Sequence, residues 1–193
     1  MSGFVVIYDR SSTPVNTDLF ERAMNFLKHR GPDGRDVSFT EHAALGHWHF
    51  WTTPEEVGEK QPLELNGLPF KIVFDGRLDN RAEILDGLKP PLENASRLSD
   101  AALLLYAYER WGRECFERLI GEYALVIFDE WRGELICARD ALGDRSLFYS
   151  IHDSRIIIAS EPRAAAVEAP ELNESAVSHF FCFTGKTEWR NIL

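Results

Sequence analysis

Long apolar runs and leader segments are missing from this 193-residue sequence. The longest unbroken apolar run extends only from Ala101 to Tyr108, whereas a helix that spans a bilayer needs about 20 such residues. The N-terminus also lacks the basic and then apolar layout of a secretory signal. The sequence therefore predicts a soluble protein without membrane partners.

Basic clusters and paired cysteines are missing as well. The formal net charge is -10 and there is no run of Lys or Arg, which disfavours nucleic acid as a partner because such binding depends on cationic neutralisation of phosphate. Cys115, Cys137 and Cys182 lie far apart, and no CxxC pair indicates a metal site or a disulfide framework. This cysteine usage fits a reducing compartment, so we expect a cytoplasmic protein.

The features that are present are typical of one mixed domain. With 45% hydrophobic residues, the chain is long enough for one core and too short for two ordinary domains. Apolar patterning predicts strands at 4–9, 37–39, 43–50, 70–75, 123–129, 134–139, 147–150 and 155–159, and helices at 17–29, 80–88, 99–111 and 174–181. Hairpin turns at 131–133 and 152–154 favour antiparallel sheets. The pattern predicts a layered α+β domain with helices outside two sheets.

Two patterns resemble functional sites but are interpreted otherwise. His47 and His49 lie two apart on a predicted strand and so share a face, as metal ligands could, yet no third ligand is spaced to join them. We expect these histidines to pack or to line a pocket. The charged pairs at 139–140 and 144–145 frame a turn and are predicted to be structural.

Seven stretches of the chain carry a family resemblance when they are taken in order. They are HRGPDG at 29–34, LGHWHF at 45–50, QPLE at 61–64, FDGRLDNRAEI at 74–84, LSDAALLLYAYERWG at 98–112, LIGEYALVIFDEWRGELICARDALGDRSLFY at 119–149 and IIASEPRA at 157–164. Together they resemble the N-terminal glutaminase domain of asparagine synthetases, a class II glutamine amidotransferase. The resemblance implies a four-layer αββα sandwich of two antiparallel sheets, the N-terminal-nucleophile hydrolase fold, over residues 1–170. Residues 171–193 then resemble the start of a linker toward a synthetase domain.

The resemblance implies a nucleophile at position 2. In that family a cysteine, exposed by removal of Met1, attacks the side-chain amide of glutamine, and its own α-amino group acts as the general base. An α-amino group titrates near ~7.7–8.0, so it can accept and return a proton at neutral pH. The matching residue here is Ser2, whose hydroxyl is less nucleophilic than a thiol.

Two further pocket positions depart from the family. Where the family has an arginine that holds the substrate's α-carboxylate, this sequence has His49, which offers single contacts in place of a charged fork. Where the family's Asn-Gly forms an oxyanion hole, this sequence has Asp75 and Gly76. The loss of one such donor costs a factor of about 10²–10³ in rate, and an ionised Asp75 would oppose the developing oxyanion. The resemblance therefore implies an impaired or inactive glutaminase.

Asp100 and Arg77 complete the candidate substrate-binding residues. Asp100 matches the acidic residue that receives the substrate's amino group in the family. Arg77 follows Asp75 by two positions on a predicted strand, so we expect these two side chains to share a face and to form an ion pair. Such a pair would be a structural contact at the rim of the pocket.

The resemblance favours a degenerate glutaminase domain of an asparagine synthetase-like, ATP-dependent, amide-forming ligase. Two alternatives stay open: an active glutaminase domain of an asparagine synthase with a substituted nucleophile, and an amidohydrolase that uses Ser2 on a different amide. The expected partners are glutamine or another small amide, if the domain is active, and a ligase domain in cis or in trans. A homodimer is also left open. We expect no cofactor in this chain, and ATP and magnesium only in a synthetase domain.

Overall fold

Nine strands form two antiparallel sheets in the part of the chain that the structure describes. This computed structural model describes residues 1–11, 13–88 and 97–168. The strands are β1 (Gly3–Asp9), β2 (Gly34–Phe39), β3 (Ala43–His49), β4 (Leu63–Glu64), β5 (Phe70–Leu78), β6 (Gly121–Asp129), β7 (Glu134–Arg139), β8 (Phe148–His152) and β9 (Arg155–Ala159). The first sheet has the order β2-β3-β1-β9-β8, and the second has the order β4-β5-β6-β7.

The two sheets pack face to face through alternate residues of their central strands. Because successive side chains on a strand point to opposite faces, β1 packs Phe4 and Val6 against the second sheet and Val5 and Ile7 against a helix. The partners from the second sheet are Val73, Ala124, Val126 and Phe128. These side chains are buried, and such burial contributes about 1.5–3 kcal/mol for each large apolar side chain.

Helices cover the outer face of each sheet. They are α1 (Thr17–Phe26), α2 (Arg81–Gly87), α3 (Asp100–Trp111) and α4 (Pro162–Ala165), with 3₁₀ turns at Lys28–Arg30 and Gly112–Arg118. Helices α1 and α4 pack on the first sheet, and α2 and α3 pack on the second. The four-layer αββα arrangement of two antiparallel sheets, predicted from the sequence, is therefore confirmed.

Several strands and helices begin or end at residues other than those predicted. Strand β2 begins at Gly34 and β5 runs on to Leu78, so both extend past their predicted ranges. Helix α1 ends at Phe26 and gives way to the turn that contains Arg30. The sequence does not predict β4 or α4, because such short segments carry no readable period.

Two further predictions concern the C-terminal part of the chain. The helix predicted over 174–181 and the linker predicted over 171–193 lie outside the described residues. Within the described ranges, none of the helices combines the length and the apolar character that crossing a membrane requires.

Close backbone approaches at two glycines shape the region where β1 begins. A Cβ on Gly31 would lie 2.4 Å from the carbonyl carbon of Trp48, so the HRGPDG turn can pass against β3 only with glycine there. A Cβ on Gly76 would lie 2.2 Å from a carbonyl oxygen of β6. Arg30 and Asp75, which precede these glycines, contact each other near the start of β1.

Candidate active site

A cavity of about 120 Å³ lies at the N-terminal end of β1. Both sheets and the loops beside them line it, including His47 and His49 from β3, Phe74 from β5, and Glu59 and Arg145 from loops. Four site residues predicted from the sequence meet in this cavity: Ser2, His49, Asp75 and Gly76. The other two, Asp100 and Arg77, are not among the lining residues.

Ser2 is held by backbone contacts on both sides. Its Oγ accepts a hydrogen bond from the Phe50 N–H at 3.1 Å and lies 3.4 Å from the Phe50 carbonyl oxygen, to which it can donate. Arg30 Nε donates to the Ser2 carbonyl oxygen at 2.8 Å. Burial lowers the pKa of the terminal amino group on Met1. While Met1 is attached, Ser2 has no α-amino group of its own, so the general-base arrangement requires removal of Met1.

Asp75 is buried between two guanidinium groups. Arg30 Nη2 lies 3.2 Å from Asp75 Oδ2, and Arg145 Nη1 lies 3.8 Å from Asp75 Oδ1. The exposed fractions of the Asp75, Arg30 and Arg145 side chains are 5%, 11% and 17%. Burial raises the pKa of the Asp75 carboxyl, while Arg145, Arg30 and the terminal amino group act against that rise. The cavity therefore holds a paired carboxylate at the predicted oxyanion-hole position.

The prediction of an ion pair between Arg77 and Asp75 is wrong, because Arg77 pairs with other carboxylates. The Arg77 side chain is 56% exposed, and its Nε donates to Asp79 Oδ1 at 2.7 Å. Its Nη2 lies 3.9 Å from Glu122 Oε1. Two positions on one strand do share a face, but Arg77 reaches outward to nearby carboxylates that keep its guanidinium in water, whereas Asp75 lies in the interior. Arg30 and Arg145 take the partner role that the spacing assigned to Arg77.

His49 belongs to a chain of three buried or half-buried side chains. His47 Nε2 lies 3.1 Å from the Phe74 carbonyl oxygen, and His47 Nδ1 lies 2.9 Å from His49 Nδ1. His49 Nε2 lies 2.9 Å from Asp36 Oδ2. Burial, followed by the neighbouring His49, lowers the pKa of His47 to about 3. Both histidines line the cavity, as expected, and no group of three metal-ligating side chains occurs within the described ranges.

The positions of the protons in this hydrogen-bonded series of side chains follow from which atoms can only accept a hydrogen bond. A carbonyl oxygen only accepts, so the neutral His47 carries its proton on Nε2 and offers the Nδ1 lone pair to His49. His49 must then donate through Nδ1, and a further proton is required between His49 Nε2 and the Asp36 carboxylate. Both ring nitrogens of His49 are engaged inside the protein, so neither is available to hold the carboxylate of a ligand.

A second carboxylate in the cavity, Glu59, has neutral partners. Gln61 Nε2 donates to Glu59 Oε1 at 2.9 Å, and Ser99 Oγ donates to Glu59 Oε2. Gln61 is fixed in turn, because its side-chain oxygen accepts from the Phe74 N–H at 2.7 Å. Burial raises the pKa of Glu59 to about 7; the bond from Gln61 opposes this rise and two nearby carboxyl groups add to it.

Both carboxylate oxygens of Asp100 already have partners. Its Oδ2 accepts from the Leu78 N–H at 2.7 Å, and its Oδ1 pairs with Arg81 Nη1. Asp100 is the first residue of α3, directly after the N-cap Ser99. At this position a carboxylate is also stabilised by the positive end of the helix dipole. An acidic residue is present at the predicted position, but its contacts are those of a structural anchor.

Three residues of the site are not evident from the sequence. Arg30 lies in the HRGPDG stretch and Arg145 in a charged pair that we interpreted as structural, yet both reach Asp75. Glu59 lies in a segment with other acidic residues, and nothing in the local sequence distinguishes it from them. The glycine at position 31 is the one sequence signal that marks the Arg30 turn for a close approach.

Comparison with known proteins identifies the family. A family model described as a glutamine amidotransferase domain matches residues 1–192. This chain belongs to that family. It is a class II glutamine amidotransferase domain related to asparagine synthetases, as the seven stretches imply.

The curated relatives of this glutamine amidotransferase domain are longer proteins. Asparagine synthetase [glutamine-hydrolyzing] 3 of Bacillus subtilis (strain 168) is 32% identical over 146 residues, which cover 75% of this chain and 24% of that protein. Amidase chry2 of Gibberella zeae is 29% identical over 174 residues, which cover 83% of this chain and 25% of that protein. This chain therefore spans about a quarter of the length of these relatives.

Solved structures share the fold. The glutamine phosphoribosylpyrophosphate amidotransferase from B. subtilis, complexed with ADP and GMP, matches with a TM-score of 0.66 and 22% identity over 86% of this chain and 43% of that one. A structure of the allosteric regulatory enzyme of purine biosynthesis matches with a TM-score of 0.67 and 21% identity, with the same coverage of both chains. The fold of this domain is that of the N-terminal-nucleophile hydrolases.

Proposed function

We propose that this glutamine amidotransferase domain has lost glutamine hydrolysis and serves an asparagine synthetase-like, ATP-dependent ligase as a scaffold or partner surface. The observation that carries the proposal is the buried carboxylate of Asp75, paired with Arg30 and Arg145 in the cavity that contains Ser2. The contacts of His49 and Ser2 support it independently.

Asp75 would oppose the charge that develops during amide hydrolysis. Attack on an amide places negative charge on its carbonyl oxygen, and active sites stabilise this charge with N–H donors. A carboxylate side chain offers only oxygen atoms, and it already occupies Arg30 Nη2 and faces Arg145 Nη1. Since the loss of one donor costs a factor of about 10²–10³ in rate, a carboxylate in its place should cost at least as much.

His49 would fail to hold glutamine by its α-carboxylate. An arginine would present a charged fork with two parallel donors, whereas both nitrogens of His49 are bonded to His47 and Asp36. The α-carboxylate of glutamine could bind His49 only if one of these two hydrogen bonds were broken. The change at position 49 therefore affects substrate binding, and the change at position 75 affects the chemical step.

Ser2 would be a weaker nucleophile than the family's cysteine, even after removal of Met1. A hydroxyl needs more activation than a thiol, because much less of it ionises near neutral pH. The Oγ atom is also engaged with the backbone of Phe50. Changes in the nucleophile, the oxyanion position and the carboxylate position act on separate requirements of the same reaction.

A domain without this chemistry can still support a ligase through its surface. The relatives named as asparagine synthetases are about three to four times as long as the matched segment, which leaves room for a ligase domain in those proteins. In our proposal such a domain, in cis or in trans, binds ATP and magnesium and takes its amine from a source other than glutamine. This chain would contribute binding contacts and would need no cofactor.

Glutamate release from glutamine tests the proposal in three forms of the protein. The forms are the unmodified chain, Ser2→Cys, and the combination Ser2→Cys, His49→Arg, Asp75→Asn. Intact mass verifies that Met1 is removed, and circular dichroism verifies that each form is folded. We expect no turnover in the first two forms, because the carboxylate-binding residue at position 49 and the oxyanion-hole residue at position 75 are altered as well as the nucleophile.

The outcomes separate the proposal from its alternatives. Turnover by Ser2→Cys alone would overturn it and favour an active asparagine synthase-type glutaminase with a substituted nucleophile. Turnover of glutamine or of another small amide by the unmodified chain would favour a Ser2-dependent amidohydrolase. Activity that appears only in the combined variant would support the proposal, because it requires all three positions to be restored.

A further inference from the structure

We infer that the cavity beside Ser2 binds a small primary alkylammonium ion that carries no carboxylate, and that Glu59 recognises its ammonium group. The inference rests on the proposed function, because it concerns a cavity that no longer holds glutamine. It follows from the charges that line the cavity and from the partners that each of them already has.

Glu59 is a cavity carboxylate without a compensating cation. Within the described residues, no Lys, Arg or His nitrogen lies within 4.0 Å of its oxygens, and its hydrogen-bond partners are the neutral side chains of Gln61 and Ser99. Its neighbour Glu56 instead accepts from the backbone of the adjacent loop, at 2.8 Å from the Thr52 N–H. A partly buried carboxylate with neutral partners gains most from a ligand that brings a positive charge.

The cations near the cavity are committed to other carboxylates. Arg145 is shared between Asp75 and Glu122, whose Oε2 lies 3.5 Å from Arg145 Nη2. Arg30 is shared between Asp75 and Glu161, and Asp75 lies between the two arginines. Since His49 is also closed by its own hydrogen bonds, the carboxylate of an amino acid would have to compete with Asp75, Glu122 and Glu161 for the arginines. Of these arginines, Arg145 keeps one buried N–H, at Nε, without a partner among the described residues. An amine without a carboxylate avoids that competition.

Size and polarity also fit a short alkyl chain. The cavity volume of about 120 Å³ is several times the ~30 Å³ that one water molecule occupies in the liquid. Phe50, Trp51 and Phe74 contribute apolar lining that an alkyl chain can contact. An ammonium group presents three N–H donors and no acceptor, which matches the acceptor oxygens of Glu59.

The inferred binding should depend on pH. The pKa of Glu59 is about 7, so only a small part of its side chain is ionised at pH 6 and most is ionised at pH 8. The ionisable groups nearest Glu59 are Glu56 and Asp100, which raise its pKa. The same cavity is also lined by the neutral His47, by His49, and by the facing pair of Asp75 and Arg145. Alkylammonium ions keep their proton to a pH of about 10. The affinity should therefore rise about tenfold from pH 6 to pH 8.

Isothermal titration calorimetry of the full chain with three ligands of matched size tests the inference. The ligands are n-butylammonium, the neutral butyramide and the anionic butyrate. We expect saturable binding of n-butylammonium at pH 8, at least tenfold weaker binding of butyramide, and no binding of butyrate.

Two matched variants identify the residue. Glu59→Gln keeps the shape and removes the charge, and it should weaken n-butylammonium binding by about 10–100-fold, as expected for the loss of a charged hydrogen bond. Glu55→Gln removes the same charge from an exposed position on the same segment that does not line the cavity, and it should leave the affinity unchanged. Thermal unfolding of each variant verifies that it is folded.

Each result decides for or against the inference. Equal binding of butyramide and n-butylammonium, unchanged binding by Glu59→Gln, or no binding of any ligand would overturn it. Loss of binding in Glu59→Gln with retention in Glu55→Gln would support it. Because these titrations involve no turnover, they are distinct from the glutamate-release assay: hydrolysis of glutamine overturns the proposed function, and failure of amine binding overturns only the role of Glu59.

Discussion

Asp75 and Glu59 are two carboxylates of one cavity, and they differ in how their charge is compensated. Asp75 lies between the guanidinium groups of Arg30 and Arg145, whereas Glu59 has only the neutral Gln61 and Ser99 as partners. Burial raises the pKa of both, but the arginines act against the rise at Asp75. The comparison indicates that the Asp75 side is closed by internal ion pairs, while the Glu59 side retains an unsatisfied charge that a ligand can meet.

The largest loss of stability should come from removing Asp75, the carboxylate whose charge the two arginines compensate. Asp75→Ala leaves two buried guanidinium groups with one partner fewer each, and breaking a buried pair costs about 3–5 kcal/mol. We expect the free energy of unfolding to fall by about 3 kcal/mol, near the lower limit, because each arginine keeps a second carboxylate. Urea denaturation measures this loss.

Asp79→Ala is the matched control for this prediction. It removes the exposed partner of Arg77, and an exposed pair contributes about 0–1 kcal/mol. Similar losses in the two variants would contradict the view that Asp75 belongs to a buried, closed network.

The next largest effect on stability should come from neutralising Glu59, the carboxylate without a compensating cation. The folded-state pKa of Glu59, about 7, lies above its ordinary value of 4.5, so the folded protein holds this proton more tightly than the unfolded chain does. Stability from this group is present below pH 4.5 and is lost as the pH rises through 7. The rise in pKa from 4.5 to about 7 corresponds to about 3 kcal/mol, which screening by water reduces to about 2 kcal/mol because the side chain is only partly buried. Glu59→Gln should therefore be more stable than the unmodified protein at pH 8 by about this amount, and nearly equally stable at pH 4.5. Urea denaturation at both pH values checks this; a pH-independent difference would argue against it.

A smaller effect should come from Ser99, which links the cavity to a helix. Its Oγ caps α3 by accepting from the Ala102 N–H at 3.2 Å and also donates to Glu59. Loss of an N-cap costs about 1 kcal/mol, and Ser99→Ala should also raise the pKa of Glu59 because a bond to the charged form is lost. Asn16→Ala, which removes the cap of α1, should cost a similar free energy without that pKa change. NMR titration of the glutamate carboxyl carbons separates the two variants, and an unchanged Glu59 in Ser99→Ala would refute the link.

The smallest effect on stability should come from Asp36, at the outer end of the histidine chain. Asp36→Asn replaces a partly exposed acceptor, so we expect a loss of no more than about 1 kcal/mol. An amide can donate to His49 Nε2, so the variant no longer requires the proton between His49 Nε2 and position 36, and His49 should carry its proton on Nδ1 alone. The ¹⁵N chemical shifts of the imidazole ring report this directly, and identical shifts in both proteins would contradict the proton assignment.

The layers of the fold follow from local patterns, whereas the pairing inside the cavity does not. The continuous apolar run of β1 predicts a strand that is buried on both faces, and the nearly all-apolar helix α3 predicts a covered helix; both are present. The partner of Asp75 was predicted from strand spacing alone, which favoured Arg77. The arginines that do pair with it come from turns 45 and 70 residues away in sequence, and only the packing of both sheets brings them there.

The resemblance located the positions of the site but not their hydrogen bonds. It implies a pocket that contains Ser2, His49, Asp75, Gly76 and Asp100; the first four line one cavity in the structure, whereas Asp100 is not among the lining residues. It could not reveal that His49 uses both ring nitrogens internally or that Glu59 has neutral partners, because these features depend on side chains from separate loops and strands.

The most direct test of the account is the binding of glutamine itself to the unmodified chain, measured by isothermal titration calorimetry at pH 8 up to about 10 mM, well above the usual KM range of ~1 μM–1 mM. This measurement needs no nucleophile, so it tests the cavity apart from the Ser2 substitution. The account predicts no saturable binding, because both ring nitrogens of His49 are already engaged and leave no free donor for the carboxylate of glutamine. Saturable binding that is lost in His49→Ala would contradict the account and show that the cavity still holds the family's substrate.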